Sequence, residues 1–455
     1  MNDTKRVVQF TLIATLLLLG LSIYTEVSGT SASYLKNISL LSDVMRAKTA
    51  PLPGTPASTE VIVDKNGKKV PAPTAAPDVY KLPGIITAFH DTAAPAMPRL
   101  AAKLADIKKG KKRKIRIAWL GDSMIEGDLI TQTVRKRLQQ YFGGAGVGFV
   151  KMQSLDVKSR ATVTMDWHGD WKEESFKSDT HTAPLGFSGH VYFPVSGTTE
   201  LRDVTIKDTT GKPLYKSLIC GKGGPASLTF NGKPISFNPA ARFNRIVLDS
   251  TPTRAATIKI EAPELPVYGV SFESADGIVL DNFSFRGISG VELGKLDTSF
   301  LKEVMAGNEY DLVVLEYGAN LMFRPNDVNY SWYEQKMEPV LRNFRKALPG
   351  ADFLLISTAD RAFKYDGEWK TAVGLDSLLD VQARMARKNG MAFFNLYQSM
   401  GGYGAIARWA DSSTAFANKD YIHPNHRGAE LLGNMLADAF IAEARKYNTT
   451  VSAHH

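Results

Sequence analysis

The chain of 455 residues is 44% hydrophobic, 10% aromatic and 22% charged, which excludes an intrinsically disordered protein and leaves room for more than one globular core. Its 55 Lys and Arg against 46 Asp and Glu leave a net charge of +9, suited to an acidic polymer or an anionic surface. Cys220 is the only cysteine, so an intrachain disulfide and a multi-cysteine metal site are excluded.

Lys5 and Arg6 precede an uncharged, mostly apolar run from Val7 to Tyr24, and small residues come next at Ser28, Gly29, Thr30, Ser31 and Ala32. Basic residues ahead of such a run hold the N-terminus in the cytoplasm and send the rest of the chain outwards. A run of about 18 residues suits a cleaved export signal or a retained membrane anchor, and residues 1–30 are assigned to one of these. Residues 31–90 carry Pro51, Pro53, Pro56, Pro71, Pro73, Pro77 and Pro83. Proline fixes φ and removes a donor, so this stretch reads as an extended spacer.

Met97 to Lys109 has helical spacing, with Leu100, Leu104 and Ile107 on one face. The basic run from Lys108 to Arg116 then reads as a solvated helix end ahead of a buried strand. A nucleic-acid partner is not expected for an exported body. Ile115–Leu120 is a short apolar run ending in Gly121-Asp122-Ser123, and Leu129–Tyr141 is helical in pattern. Further apolar runs are Gly277–Phe285, Asp311–Tyr317, Ala351–Ser357 and Met391–Leu396, with helical stretches at Leu293–Ala306, Trp332–Ala347, Leu378–Lys388 and Arg427–Arg445. Five strands alternating with helices predict an α/β three-layer sandwich, a parallel sheet covered on both faces.

Residues 152–274 break that rhythm. Alternating segments such as Ala161–Met165, Val191–Phe193, Ala226–Phe230, Arg245–Leu248 and Ala256–Ile260 are separated by turn signals, Asn231-Gly232 among them. This predicts an antiparallel β-sandwich inserted between the first two parallel strands, dividing the α/β body into 91–151 and 275–447.

Ser123 stands in a turn directly after a buried parallel strand, where ligands of open α/β sheets bind. Alone, such a serine reads better as the cap of the next helix than as a nucleophile. A nucleophilic serine needs a base. Of the eight histidines, His423 and His426 lie just ahead of the last helix, in Asp420-Tyr-Ile-His423-Pro-Asn-His426. Asp420, three residues before His423, is close enough for one short loop to turn its carboxylate onto the imidazole.

Gly121-Asp122-Ser123, Gly287-Ile288-Ser289-Gly290, Gly318-Ala319-Asn320 and Asp420-x-x-His423 occur in the order of the four signature blocks of the SGNH (GDSL-like) hydrolases, and over residues 115–150 and 277–445 the chain resembles that superfamily. The resemblance implies a flavodoxin-like five-stranded parallel sheet and an ester hydrolase with Ser123, Asp420 and His423 as its triad. It also implies an oxyanion hole formed by the backbone N–H groups of Ser123 and Gly290 with the Asn320 side chain, and no cofactor. Met124 and Leu321 depart from the common blocks, which carry leucine and aspartate there. The inserted sandwich and the run Gln139–Phe149 look like bacterial periplasmic peptidoglycan O-acetylesterases, whose insert resembles a carbohydrate-binding module. That implies a periplasmic enzyme, anchored to the inner membrane if residues 1–30 are kept, acting on an acetylated polysaccharide. An O-acetyltransferase using the same triad and a non-catalytic glycan-binding protein are the alternatives.

Trp167 and Trp171 in the insert are expected either to stack on sugar rings or to belong to the sandwich core. Arg286, Glu316, Tyr317 and Arg324 flank the second and third blocks, and Arg324 is a candidate for substrate binding. His423 and His426 lack further ligands at zinc-like spacing, so no metal is expected. The glycines from Gly143 to Gly148 lack the Gly-Lys-Ser/Thr ending of a phosphate loop.

Overall fold

The computed structural model describes residues 61–63, 69–71, 79–89, 93–153, 160–206, 211–308 and 310–452. The expected signal or anchor at residues 1–30 lies outside them. No helix among the described residues is long and apolar enough to cross a membrane. The chain divides into two compact units, 1–75 and 76–455. Within the first, Val61–Val63 pairs antiparallel with Lys69–Pro71.

The second unit is built on a sheet in which Gly277–Ser284, Lys114–Gly121, Leu312–Glu316, Asp352–Ile356 and Ala392–Phe394 lie side by side in that order, all parallel. A sixth strand corrects the expectation of a five-stranded, wholly parallel sheet. Ile86–Thr87 pairs antiparallel with Ala392–Phe394, closing that edge. The expected spacer therefore ends before residue 90, because its last residues are part of this sheet. A two-residue strand carries no periodic signal, and the proline content around it reads as spacer.

Side chains alternate along the strands. Ile115, Ile117 and Trp119 share one apolar core with Leu100, Leu104, Val134, Leu138, Leu432 and Phe440 from the helices Pro98–Lys108, Thr131–Phe142 and His426–Ser452. Ala118, Leu120, Val313 and Leu315 share another with Phe300, Leu341, Phe344 and Leu378 from Thr298–Asn308, Ser331–Ala347 and Leu375–Lys388. The period of two thus gives each strand a buried residue for either helical layer. The chain moves from the first strand to Gly277–Ser284 on one side and then to Leu312–Glu316 on the other. The carboxyl end of Lys114–Gly121 is accordingly the point where strand order reverses.

Between the first two parallel strands lie two antiparallel sheets. One contains Asn244–Asp249, Leu214–Cys220, Val267–Ser274, His190–Pro194 and Trp171–Ser175, joined by Gly148–Val150. The other contains Lys233–Phe237, Ala226–Phe230, Ala255–Ile260, Thr198–Asp203 and Val163–His168. Val163, Leu201, Leu218, Ile258 and Val270 are in the core between them. Phe187, Val191, Ile219 and Tyr268 of the insert instead join the core of the α/β body, with Phe149, Phe283, Phe285 and Phe300. The insert has its own core and shares a second one with the body.

Candidate active site

Four chain segments converge at the carboxyl ends of the parallel strands. The first leaves the Lys114–Gly121 strand in a tight turn, where Ile125 N donates to Asp122 O and Glu126 N to Ser123 O. Gly121 is needed there, since a Cβ would stand 2.9 Å from Ile125 Cδ1 and 3.0 Å from Glu316 O. Asn282 fixes the turn from the neighbouring strand by donating to Ile125 O at 2.9 Å. Ser123 is left half-buried at the turn, its hydroxyl facing the last loop.

That loop carries His423. Ser123 Oγ lies 2.8 Å from His423 Nε2, and His423 Nδ1 lies 2.7 Å from Asp420 Oδ2. Asp420 Oδ1 also accepts from the backbone N–H groups of Ile422 and His423, both at 3.0 Å. Partial burial works against its charge, but the bonds from the His423 ring and the two N–H groups prevail. The carboxyl is held below the ordinary range and stays ionised. Tyr421, with φ of 57°, turns the chain between them. Its ring stacks on Trp369 at 4.0 Å and 14°, and its carbonyl accepts from Ala362 N at 3.0 Å. Trp369 and Ala362 belong to the hairpin Ala362–Tyr365/Glu368–Thr371, which thereby braces the loop that carries Asp420 and His423.

The second and third blocks complete the group. Gly290 has φ of 94°, and a Cβ on it would meet Tyr317 Cδ2 at 2.9 Å, so only glycine fits. Gly318 is pressed closer still, since a Cβ on it would stand 2.3 Å from Thr358 Cβ. Asn320 donates to Asp122 Oδ2 at 3.0 Å and to Ile288 O at 2.9 Å, tying the first three blocks together. Asp122 is fully buried. Burial raises its pKa to about 6, against the Met124 N–H, the His423 charge and the Asn320 amide.

The chain is therefore an α/β body whose strand order reverses at a Ser–His–Asp chain, with glycine and asparagine loops beside it. A solved peptidoglycan O-acetylesterase superimposes on it with a TM-score of 0.65 and 26% identity, over 78% of this chain and 98% of that one. The chain has the fold of the SGNH hydrolases. A lipase/acylhydrolase from Enterococcus faecalis and an acetyl xylan esterase match with TM-scores of 0.27 and 0.29, each at 16% identity over 37% and 36% of this chain and 78% and 81% of theirs, and add nothing to that likeness. No family model matches the chain, and neither does any curated protein sequence.

On this SGNH scaffold not every expected residue lies beside Ser123, His423 and Asp420. Arg324 is exposed, its guanidinium 5.0 Å from the Phe323 ring centre. Trp167 and Trp171 are half-buried against the core of the sandwich, which favours their structural reading. Arg286 chelates Glu126 with both carboxylate oxygens engaged. Glu316 is buried beneath the turn, accepting from Trp119 Nε1 at 2.8 Å. Burial and, behind it, the Asp122 charge push its carboxyl up to about 8, against the pull of the indole N–H.

Two residues were not anticipated. Gln382 donates to Tyr317 O at 2.7 Å and accepts from Thr358 N at 2.8 Å. Arg361 donates to Ala319 O at 2.7 Å. Both hold the backbone leading to Asn320. Arg361 comes after the fourth parallel strand, and that strand-end position is the signal by which it was findable.

Proposed function

We propose that this carboxylic ester hydrolase removes O-acetyl groups from an exported polysaccharide, peptidoglycan first, through an acyl-serine intermediate. The observation that carries the reading is the unbroken chain Ser123 Oγ to His423 Nε2 at 2.8 Å and His423 Nδ1 to Asp420 Oδ2 at 2.7 Å. The likeness to a peptidoglycan O-acetylesterase over most of both chains supports the choice of polymer. The basic-then-apolar start supports export to the periplasm.

His423 Nε2 takes the Ser123 proton as Oγ bonds to the acetyl carbonyl carbon, and the carbonyl π pair moves onto oxygen. Backbone N–H groups of Ser123 and Gly290 and the Asn320 amide are the proposed donors to that oxyanion. As the tetrahedral species collapses, the C–O bond to the sugar breaks and the sugar oxygen takes the proton from His423. Water then attacks the acetyl-serine with His423 as base, releasing acetate and restoring Ser123. Asp420, ionised throughout, stabilises the imidazolium formed in each half.

Acetate release from O-acetylated peptidoglycan by the full chain and by Ser123→Ala tests the reading. The wild type should release acetate and the variant should lose activity by a factor of about a thousand or more. Acetyl transfer to an added acceptor sugar in place of acetate release would identify an acetyltransferase, and neither outcome would leave a glycan-binding protein.

A further inference from the structure

We infer that Arg361 is a positioning residue of this site, setting the loop that carries Asn320 in register with the Asp420–His423 loop. The inference rests on the esterase reading above. Arg361 lies between two loops that this chemistry uses. Its Nη1 donates to the carbonyl of Ala319, the residue before Asn320, at 2.7 Å. The next residue, Ala362, donates its N–H to the carbonyl of Tyr421, the residue after Asp420, at 3.0 Å. One dipeptide therefore touches the backbone beside the proposed oxyanion donor and the backbone beside the carboxylate of the triad. Burial disfavours the guanidinium charge, and Asp420 is the first group that offsets this.

The surroundings fix where the arginine stands. Arg361 O accepts from Ala372 N at 2.8 Å, and the Asp360 carboxylate before it accepts from Thr371 Oγ1 and Ile406 N, each at 2.8 Å. The guanidinium carbon lies 4.7 Å from the Phe363 ring centre, within cation–π range. Leu321, which stands where the resemblance leads one to expect an aspartate, is buried in the apolar core and has no polar atom on its side chain. Beside the bonds of Asn320 itself, Arg361 and Gln382 supply polar ties to the backbone of this loop.

An arginine kept for fold stability alone would be expected to spend its buried N–H groups on acceptors, because burying one unpaired is costly. Arg361 does not. Its Nε is buried with no hydrogen-bond partner among the described residues.

Arg361→Gln and Arg361→Lys in the full chain separate positioning from structure. Each is followed with p-nitrophenyl acetate, with a fluorophosphonate probe that labels an activated serine, and by thermal melting. Arg361→Gln should lower kcat about tenfold or more with KM changed by less than about twofold, and slow Ser123 labelling to match. Its melting temperature should stay near that of the wild type. Arg361→Lys keeps a cationic N–H donor and should recover a large part of the loss. A kcat of Arg361→Gln within about twofold of wild type overturns the inference. So does a loss that tracks unfolded protein, or a rise in KM at constant kcat. A wild-type chain that neither hydrolyses the ester nor takes the probe sinks the esterase reading and this inference with it. Equal labelling of wild type and Arg361→Gln sinks this one alone.

Discussion

Asn320 Nδ2 donates to Asp122 Oδ2 across 3.0 Å, so the proposed oxyanion donor is bonded to the residue that precedes Ser123, the proposed nucleophile. Its other amide hydrogen goes to Ile288 O at 2.9 Å. Both are engaged in this state, and service to an oxyanion requires that one be exchanged. Asn320→Ala should lower kcat on an acetyl ester by about a hundredfold to a thousandfold, the usual cost of one side-chain donor in such a site. Asp122→Ala should cost stability as well, about 1–3 kcal/mol, because it strands the buried Met124 N–H together with the Asn320 amide. Steady-state kinetics paired with urea unfolding distinguish the two. An Asn320→Ala enzyme with wild-type kcat would remove the side chain from the oxyanion hole.

Glu316 predicts a stability effect with a definite sign. Its folded pKa of about 8 lies above the ordinary glutamate value of 4.5, so the folded chain holds a proton that the unfolded chain releases. The stability associated with that proton is fully present below about pH 4.5 and is lost as pH rises through about pH 8. Glu316→Gln keeps an acceptor for the Trp119 indole and carries no titratable proton. Its melting temperature should overtake that of the wild type on the alkaline side, with the gap widening across this window. Parallel melting curves at every pH would mean that Glu316 is ionised in the fold or relieved by water.

Ser123 and His423 were legible because each motif abuts a strand or helix end whose hydrophobic pattern is strong. The four blocks were also in chain order, which single motifs cannot supply. The parallel strands were legible for the same reason, as runs buried on both faces. Ile86–Thr87 was not, because it is too short to have a period and pairs only through tertiary structure. Arg361 and Gln382 were missed because their work is done on backbone groups, and no side-chain pattern in sequence reports which backbone group lies nearby. The insert was legible as a sandwich from alternation, but alternation records only that a face is buried. It does not say whether the partner is the second sheet or the α/β body.

That last ambiguity bears on Trp167 and Trp171. Half-buried against the sandwich core, they are placed as packing residues, and a Cβ on Gly197 would collide with the Trp171 indole at 2.0 Å. Replacing Trp171 with alanine should therefore destabilise the chain by about 2–4 kcal/mol. At a temperature where the variant is folded, activity on polymer and on a small acetyl ester should fall by the same factor, or by neither. A selective loss on polymer would restore these rings to a glycan-binding role.

The shared core makes a stronger claim about the insert as a whole. Phe187 lies 5.4 Å from Phe283 and 6.3 Å from Phe344, ring centre to ring centre, and Tyr268 lies 5.6 Å from Phe300. His190 stacks on Phe285 at 4.7 Å, and Phe176 packs on the same ring at 5.3 Å. Phe285 leads directly into Arg286 and the glycine loop that ends at Gly290, so the insert buttresses the second block. Excising residues 152–274 and bridging the ends would bare Phe283, Phe285 and Phe300 together, an apolar patch that soluble monomers avoid. The excised body should aggregate or lose activity on p-nitrophenyl acetate, a substrate too small to need a glycan-binding module. Phe187→Ala is the milder version, with an expected loss of about 3–5 kcal/mol and an unchanged kcat in the fraction that stays folded. Size-exclusion chromatography and ester hydrolysis read both variants. A soluble, monomeric excised body with wild-type kcat would show that the insert is an appendage, and that the second block holds its shape without it.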